Sequence, residues 1–176
     1  MNKTIAAFAP ALALSCALAT PASAQGTIDT VTAQNPAEMT IVMMNAGYDV
    51  ELLEDGVGDP MIASTVSGMP LRIYFYDCDD ETHEGCNSIQ LSTGFDREKP
   101  WNEAEALAVS TQLRFAAVRL DDEGDPFISW DIVTGDGIPT AVFLESLERF
   151  GLTVDLTVDI VFADENAEEA SAAEKE

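Results

Sequence analysis

Cys78 and Cys86 bracket Asp79, Asp80, Glu81, Thr82, His83, Glu84 and Gly85, so thiols, an imidazole and carboxylates share one short loop. Three chemistries could use that set. Two thiols in an oxidising compartment form a disulfide. Here it would staple a loop so short that the chain-entropy model assigns it roughly 2–3 kcal/mol. Alternatively, both thiolates, His83 and a carboxylate could hold zinc, although the spacing is not a standard zinc pattern. A redox-active pair would want the C-x-x-C spacing that lowers a thiol pKa, and the pair does not have it. The expectation is therefore a Cys78–Cys86 disulfide. His83 is the only histidine, so any Ser-His-Asp or Cys-His mechanism would have to use it. The sequence has no G-x-S-x-G and no H-E-x-x-H. No catalytic residue and no cofactor is assigned, and a non-enzyme is expected.

A second cluster is Asp121, Asp122, Glu123 and Asp125, four carboxylates in one turn. Calcium favours such oxygen sets, which makes these residues weak metal candidates. The stretch is too short for an EF-hand loop and lacks its twelfth-position Glu. A solvated hairpin is the expectation. The same turn has an echo. Gly58-Asp59-Pro60-Met61-Ile62-Ala63-Ser64 returns 66 residues later as Gly124-Asp125-Pro126-Phe127-Ile128-Ser129-Trp130. Both copies follow acidic residues and lead into apolar runs. Gly tolerates positive φ, Asp bonds its own backbone, and Pro suits the first residue of an outgoing strand.

The elements that position these loops follow a leader. Lys3 is a short positive region, Ile5 to Ala19 an apolar one, and Ala22-Ser23-Ala24 a cleavage site before Gln25. That layout is a secretory signal peptide, residues 1–24, and it implies export to a Gram-negative periplasm or beyond. Cys16 lies inside it, and Ala13-Leu14-Ser15 fits a lipoprotein signal poorly. Removing 24 of 176 residues leaves 152, enough for one domain with a real core. Lys3 leaves too, so the net charge of −24 becomes −25. Such a surface repels phosphate backbones and anionic head groups, which argues against nucleic acid and anionic membranes as partners. No second run reaches the ~18 apolar residues of a spanning helix.

Residues 25–34 are polar and read as a flexible N-terminus. Asn35, Pro36 and Glu38 are a helix start, with Met39, Val42, Met43 and Ala46 at helical spacing and Gly47 as a stop. Strands are expected at Tyr48–Leu53, Pro60–Val66, Leu71–Tyr76 and Ser88–Phe95. A second helix runs from Trp101 to Phe115, with Ala104, Leu107, Ala108, Thr111 and Phe115 on its inward face. Strands follow at Ala116–Leu120 and Phe127–Val133. Ile138–Phe162 is a helix, or two pieces broken near Gly151, though the β-branched run Thr153–Val161 could extend as a strand. Residues 163–176 have little to bury and read as a disordered acidic tail. Strands joined by tight turns run antiparallel. The fold class is α+β: an antiparallel sheet of about six strands flanked by two to three helices.

These residues carry a resemblance. Leu120-Asp121-Asp122-Glu123-Gly124-Asp125-Pro126, the preceding Arg114-Phe115, and the strands meeting at Cys78 and Cys86 through Ser88-Ile89-Gln90-Leu91 are similar to the YbjN-like family of bacterial proteins. Its members are labelled sensory transduction regulators. The likeness covers residues 35–162 and implies a sheet-and-helix fold similar to type III secretion chaperones. One departure stands out. The family's Trp-Asn pair lies about five residues before Arg-Phe, where this chain has Val109-Ser110, and Trp101-Asn102 sit farther upstream. No catalytic residue comes with the resemblance. It implies an exported, non-enzymatic regulator or chaperone-like module that binds another envelope protein or itself as a homodimer. The alternative is a small-ligand or divalent-cation binder using the acidic turns or an uncovered sheet face.

Overall fold

The computed structural model describes residues 28–173. The expected signal peptide, its expected cleavage point at Ala24–Gln25, residues 25–27 and residues 174–176 lie outside the described residues. In chain order the elements are β1 (Thr30–Val31), α1 (Pro36–Asn45), β2 (Glu51–Glu54), β3 (Pro60–Val66), β4 (Met69–Tyr76), β5 (Ser88–Gly94), α2 (Glu103–Ser110), β6 (Ala117–Leu120), β7 (Pro126–Val133), β8 (Ile138–Pro139), α3 (Thr140–Val161) and α4 (Ala163–Ala173). Six strands form one antiparallel sheet in the order β2-β3-β4-β5-β7-β6, and β1 pairs with β8 in a small ribbon. The α+β class read from the sequence is the class observed.

Strand alternation sorts this sheet into two faces. Register places Ile62 opposite Ile73, Ile73 opposite Leu91, and Thr93 opposite Ile128. These side chains, with Leu71, Phe75 and Ile89, form the sheet side of the core. Met39, Val42 and Met43 of α1 and Phe143, Leu147, Phe150, Val154 and Val161 of α3 cover them. Arg72, Tyr74, Gln90, Ser92, Phe127, Ser129 and Asp131 alternate onto the other face.

The helix starts where the sequence says it should. Asn35 Oδ1 accepts the Glu38 N–H at 3.2 Å, and Pro36 takes the first helical position. The long C-terminal helix is continuous through Gly151, and Thr153–Val161 is helix rather than strand. Phe143, Leu147, Phe150, Val154, Thr157 and Val161 fall on one stripe and are buried. That burial outweighs the weak helix propensity of β-branched residues, each worth only a few tenths of a kcal/mol. Gly151 lets α3 lie close against the end of β3. A Cβ there would lie 2.8 Å from Val66 Cγ2, and Ser67 Oγ donates to the Gly151 carbonyl at 3.0 Å.

Three sequence expectations change. Residues 25–34 are not uniformly loose: from Thr30 the segment pairs with β8, and Val31 and Ala33 are buried. Thr140 donates from its N–H to the Asp29 carbonyl and from Oγ1 to that of Ile28, so the segment also anchors the start of α3. The second helix spans only Glu103–Ser110 and turns Ala106 and Val109 inward. Its expected inward face points out, with Leu107 65% exposed and Phe115 beyond the helix end. The helix is apolar on both sides, and the spacing alone did not choose between them. Finally, residues 163–173 of the expected disordered tail form α4. Its residues bury nothing, and ion pairs described below tie it down. The helices thus number four among the described residues rather than two or three.

Candidate functional site

The Cys78 and Cys86 sulfurs lie 2.08 Å apart, bonding distance for a disulfide. Neither sulfur is then a thiolate for zinc or for attack. The loop between them is ordered by Asp79, whose Oδ1 accepts from the Glu81 and Thr82 N–H groups and from Thr82 Oγ1. Those bonds, the Thr82 N–H first, hold the Asp79 carboxyl below its usual range. His83 Nδ1 stands 2.8 Å from Asp59 Oδ1, and its ring lies against Gly58. The sole histidine thus fastens one loop to another.

The acidic turn of 121–125 is held in the same way. Asp121 Oδ1 accepts from the Glu123 and Asp125 N–H groups, both at 2.9 Å. Asp125 Oδ1 accepts the Arg97 N–H at 3.0 Å. The earlier copy matches it: Asp55 Oδ1 accepts from Val57, Gly58 and Asp59. Asp122 and Glu123 point to solvent. Among the described residues, no three His, Cys, Asp or Glu side chains are grouped to hold a metal ion.

Beside this turn lies an open groove of about 760 Å³ between α2 and the β6–β7 hairpin. Three causes shape it. Asn102 caps α2 in a full capping box with Glu105, which fixes where the helix begins. The Trp101 N–H donates to the Gly124 carbonyl, and Gly124 has no room for a side chain, since a Cβ would lie 2.7 Å from Pro100 Cβ. Burial of Ala106 and Val109 then leaves Leu107 on the groove side of α2, where Val118 and Leu120 of β6 also line it. The floor is apolar: Ala106, Leu107, Val118, Leu120 and Trp101. The rim carries Glu103, Asp121, Asp122 and Glu123 and no Lys or Arg. Phe115, which the sequence placed on the same helix, stacks instead on Trp130 with ring centres 4.8 Å apart.

Behind the groove, Arg97 is a buried cation paired with carboxylates of α4. Its side chain is 1% exposed, its Nη2 meets both Asp164 oxygens at 3.0 Å, and Glu165 lies 3.5 Å away. The guanidinium also sits 5.3 Å over the Trp101 ring. Arg97 holds the Asp164 carboxyl below its usual range. Lys99 pairs with Glu168, which raises the Lys99 pKa. The sequence reading did not single out Arg97. The available signal was a cation set between Asp96 and Glu98 in a chain with 32 acids and 8 bases.

The uncovered sheet face carries a smaller cavity of about 270 Å³, lined by Arg72, Tyr74, Ser92, Asp96, Asp125 and Phe127 among others. Nearby Gln90 bridges Asp131 and Arg119. Partial burial raises the Tyr76 hydroxyl pKa, and Arg119 offsets part of that.

A family model described as "YbjN: Putative bacterial sensory transduction regulator" matches residues 35–159. The chain belongs to the YbjN family. The match runs from the Asn35 cap of α1 nearly to the end of α3, so the whole sheet, the groove and both hairpin copies lie within the YbjN region. The shifted Trp-Asn pair has a structural place in it: Asn102 caps α2 and Trp101 packs under Arg97. No curated protein matches the chain. Among the described residues, no helix is long and apolar enough to cross a membrane.

Proposed function

We propose that this YbjN protein is an exported, non-enzymatic regulator that works by binding another protein of the cell envelope. The observation that carries the reading is the α2–β6 groove. It keeps a large apolar residue, Leu107, 65% exposed in an apolar lining. An exposed apolar patch with a polar rim is the usual form of a protein contact. Export is supported by the leader layout of residues 1–24 and by a cysteine pair at bonding distance, which an oxidising compartment would preserve. The non-enzymatic reading is supported by the use of His83, Asp59, Asp121 and Asp125 in holding loops.

The test is affinity capture of the tagged chain from its native envelope, beside Leu107→Ser. A partner retained by the wild type and lost with the variant supports the reading. Capture indifferent to the variant, or recovery of the chain only in the cytoplasmic fraction, contradicts it.

A second reading, small-ligand binding, is favoured by Arg72, Tyr74 and Phe127 converging on the open-face cavity. It predicts ligand shifts in melting temperature that Arg72→Ala abolishes and Leu107→Ser leaves alone.

A further inference from the structure

We infer that the α2–β6 groove takes a basic, amphipathic segment of its partner, with one or two apolar anchors over Leu107 and flanking Lys or Arg on the rim. This rests on the protein-binding reading and adds the chemistry of the occupant. Charge complementarity chooses it. Glu103, Asp121, Asp122 and Glu123 rim the groove, and no cation among its lining residues neutralises them. These rim acids are not equivalent. Asp121 spends an oxygen on two backbone N–H groups, whereas Asp122 and Glu123 stand exposed and free to meet a cation. An acidic segment would meet repulsion from every charged side chain of the rim. A purely apolar segment would leave four carboxylates crowded beside a surface that offers them nothing. A second copy of this chain is a poor fit, because it brings its own large negative net charge to an already negative groove.

The apolar part sets the register. Leu107 on the helix side and Val118 and Leu120 on the strand side line the same groove, which offers an anchor side chain apolar surface on both sides. Trp101 lines the same groove and makes it observable by fluorescence.

The experiment uses the mature chain and three synthetic peptides of equal length. One alternates Lys and Leu on helical spacing, one replaces Lys by Glu, and one replaces Leu by Ser. Binding is read by Trp101 fluorescence in a Trp130→Phe background, which removes the second tryptophan, and by backbone amide shifts in NMR. The Lys/Leu peptide is expected to bind, to move the amides of 101–110 and 118–124, and to weaken at least about tenfold with the Asp122→Lys/Glu123→Lys double variant or with Leu107→Ser. The Glu/Leu and Lys/Ser peptides are expected to bind at least about tenfold more weakly. Shifts scattered over the whole acidic surface, or equal binding of the Lys/Ser peptide, overturn the inference as unspecific charge attraction. A native partner lost with Leu107→Ser but indifferent to the double charge reversal overturns the basic-segment assignment while leaving the protein-binding reading intact. A partner indifferent to both overturns the two together.

Discussion

Asp59 and Asp125 occupy the same position in two copies of one hairpin turn, and each reaches across to hold a different loop. Asp59 Oδ1 meets His83 Nδ1 at 2.8 Å, and Asp125 Oδ1 accepts the Arg97 N–H at 3.0 Å. The first contact secures the disulfide loop. The second secures the segment that leads through Trp101 into α2 and so sets the near wall of the groove.

The turn chemistry predicts unequal costs for neighbouring acids. Asp121→Ala removes the acceptor of two backbone N–H groups and should lower stability by about 1–2 kcal/mol. Asp122→Ala, one residue on and exposed, should change it by less than about 0.5 kcal/mol. Urea unfolding of the two variants compares them. Equal losses would mean that the acidic turn acts through charge alone.

Gly124 sits at φ +85° with Pro100 in the space a Cβ would fill. Gly124→Ala therefore meets both backbone strain and a clash, and should destabilise by about 1–3 kcal/mol. Because it bears on Pro100–Trp101, it should also shift the Trp101 emission spectrum, read in a Trp130→Phe background. A wild-type spectrum with wild-type stability would contradict this packing.

The disulfide should show in mass and in stability. Reduction should add two hydrogens to the mass of the chain, and Cys78→Ser/Cys86→Ser should cost about 2–3 kcal/mol on the chain-entropy model. A mass unchanged by reductant would show the pair to be free.

The docking of α4 should depend on acid. Arg97 depresses the Asp164 pKa in the folded chain. A depressed carboxylate contributes stability above its ordinary pKa near 3.9, and loses it as pH falls through the lower folded value. α4 should therefore stay docked at neutral pH and separate from the body in strong acid. Asp164→Asn should free it at neutral pH. NMR amide shifts of 163–173 follow the release, and high salt should weaken the exposed Lys99–Glu168 pair as well. Shifts that do not respond to pH or to Asp164→Asn would contradict an ionic tether.

Much of the frame was legible because its signals are local. Asn35-Pro36, the alternation of Ile89, Leu91 and Thr93, and the repeated Gly-Asp-Pro turn all act within a few residues of themselves. What the sequence hid depends on distant partners. The two sides of α2 are both apolar, so the choice of Val109 over Leu107 for the core belongs to the packing around them. The acidic segment after Phe162 has no apolar stripe of its own, and Arg97, some 67 residues earlier, holds it in place. Val31 and Ala33 looked like part of a polar terminus until β8 supplied a strand for Val31 to pair with and Thr134 Oγ1 an acceptor for the Ala33 N–H. The helical state of Thr153–Val161 was likewise settled by burial against the sheet, which local propensity does not contain.

The most direct test places a photo-crosslinking amino acid at Leu107 in the α2–β6 groove, at Tyr74 on the open sheet face, and at exposed Leu156 on α3, one site per variant, in cells that make the native envelope. The account predicts one discrete adduct to another protein at Leu107, lost when Asp122 and Glu123 are reversed to Lys, and none at the other two sites. The same adduct arising at Tyr74 and absent at Leu107 would contradict it and move the binding surface to the open sheet.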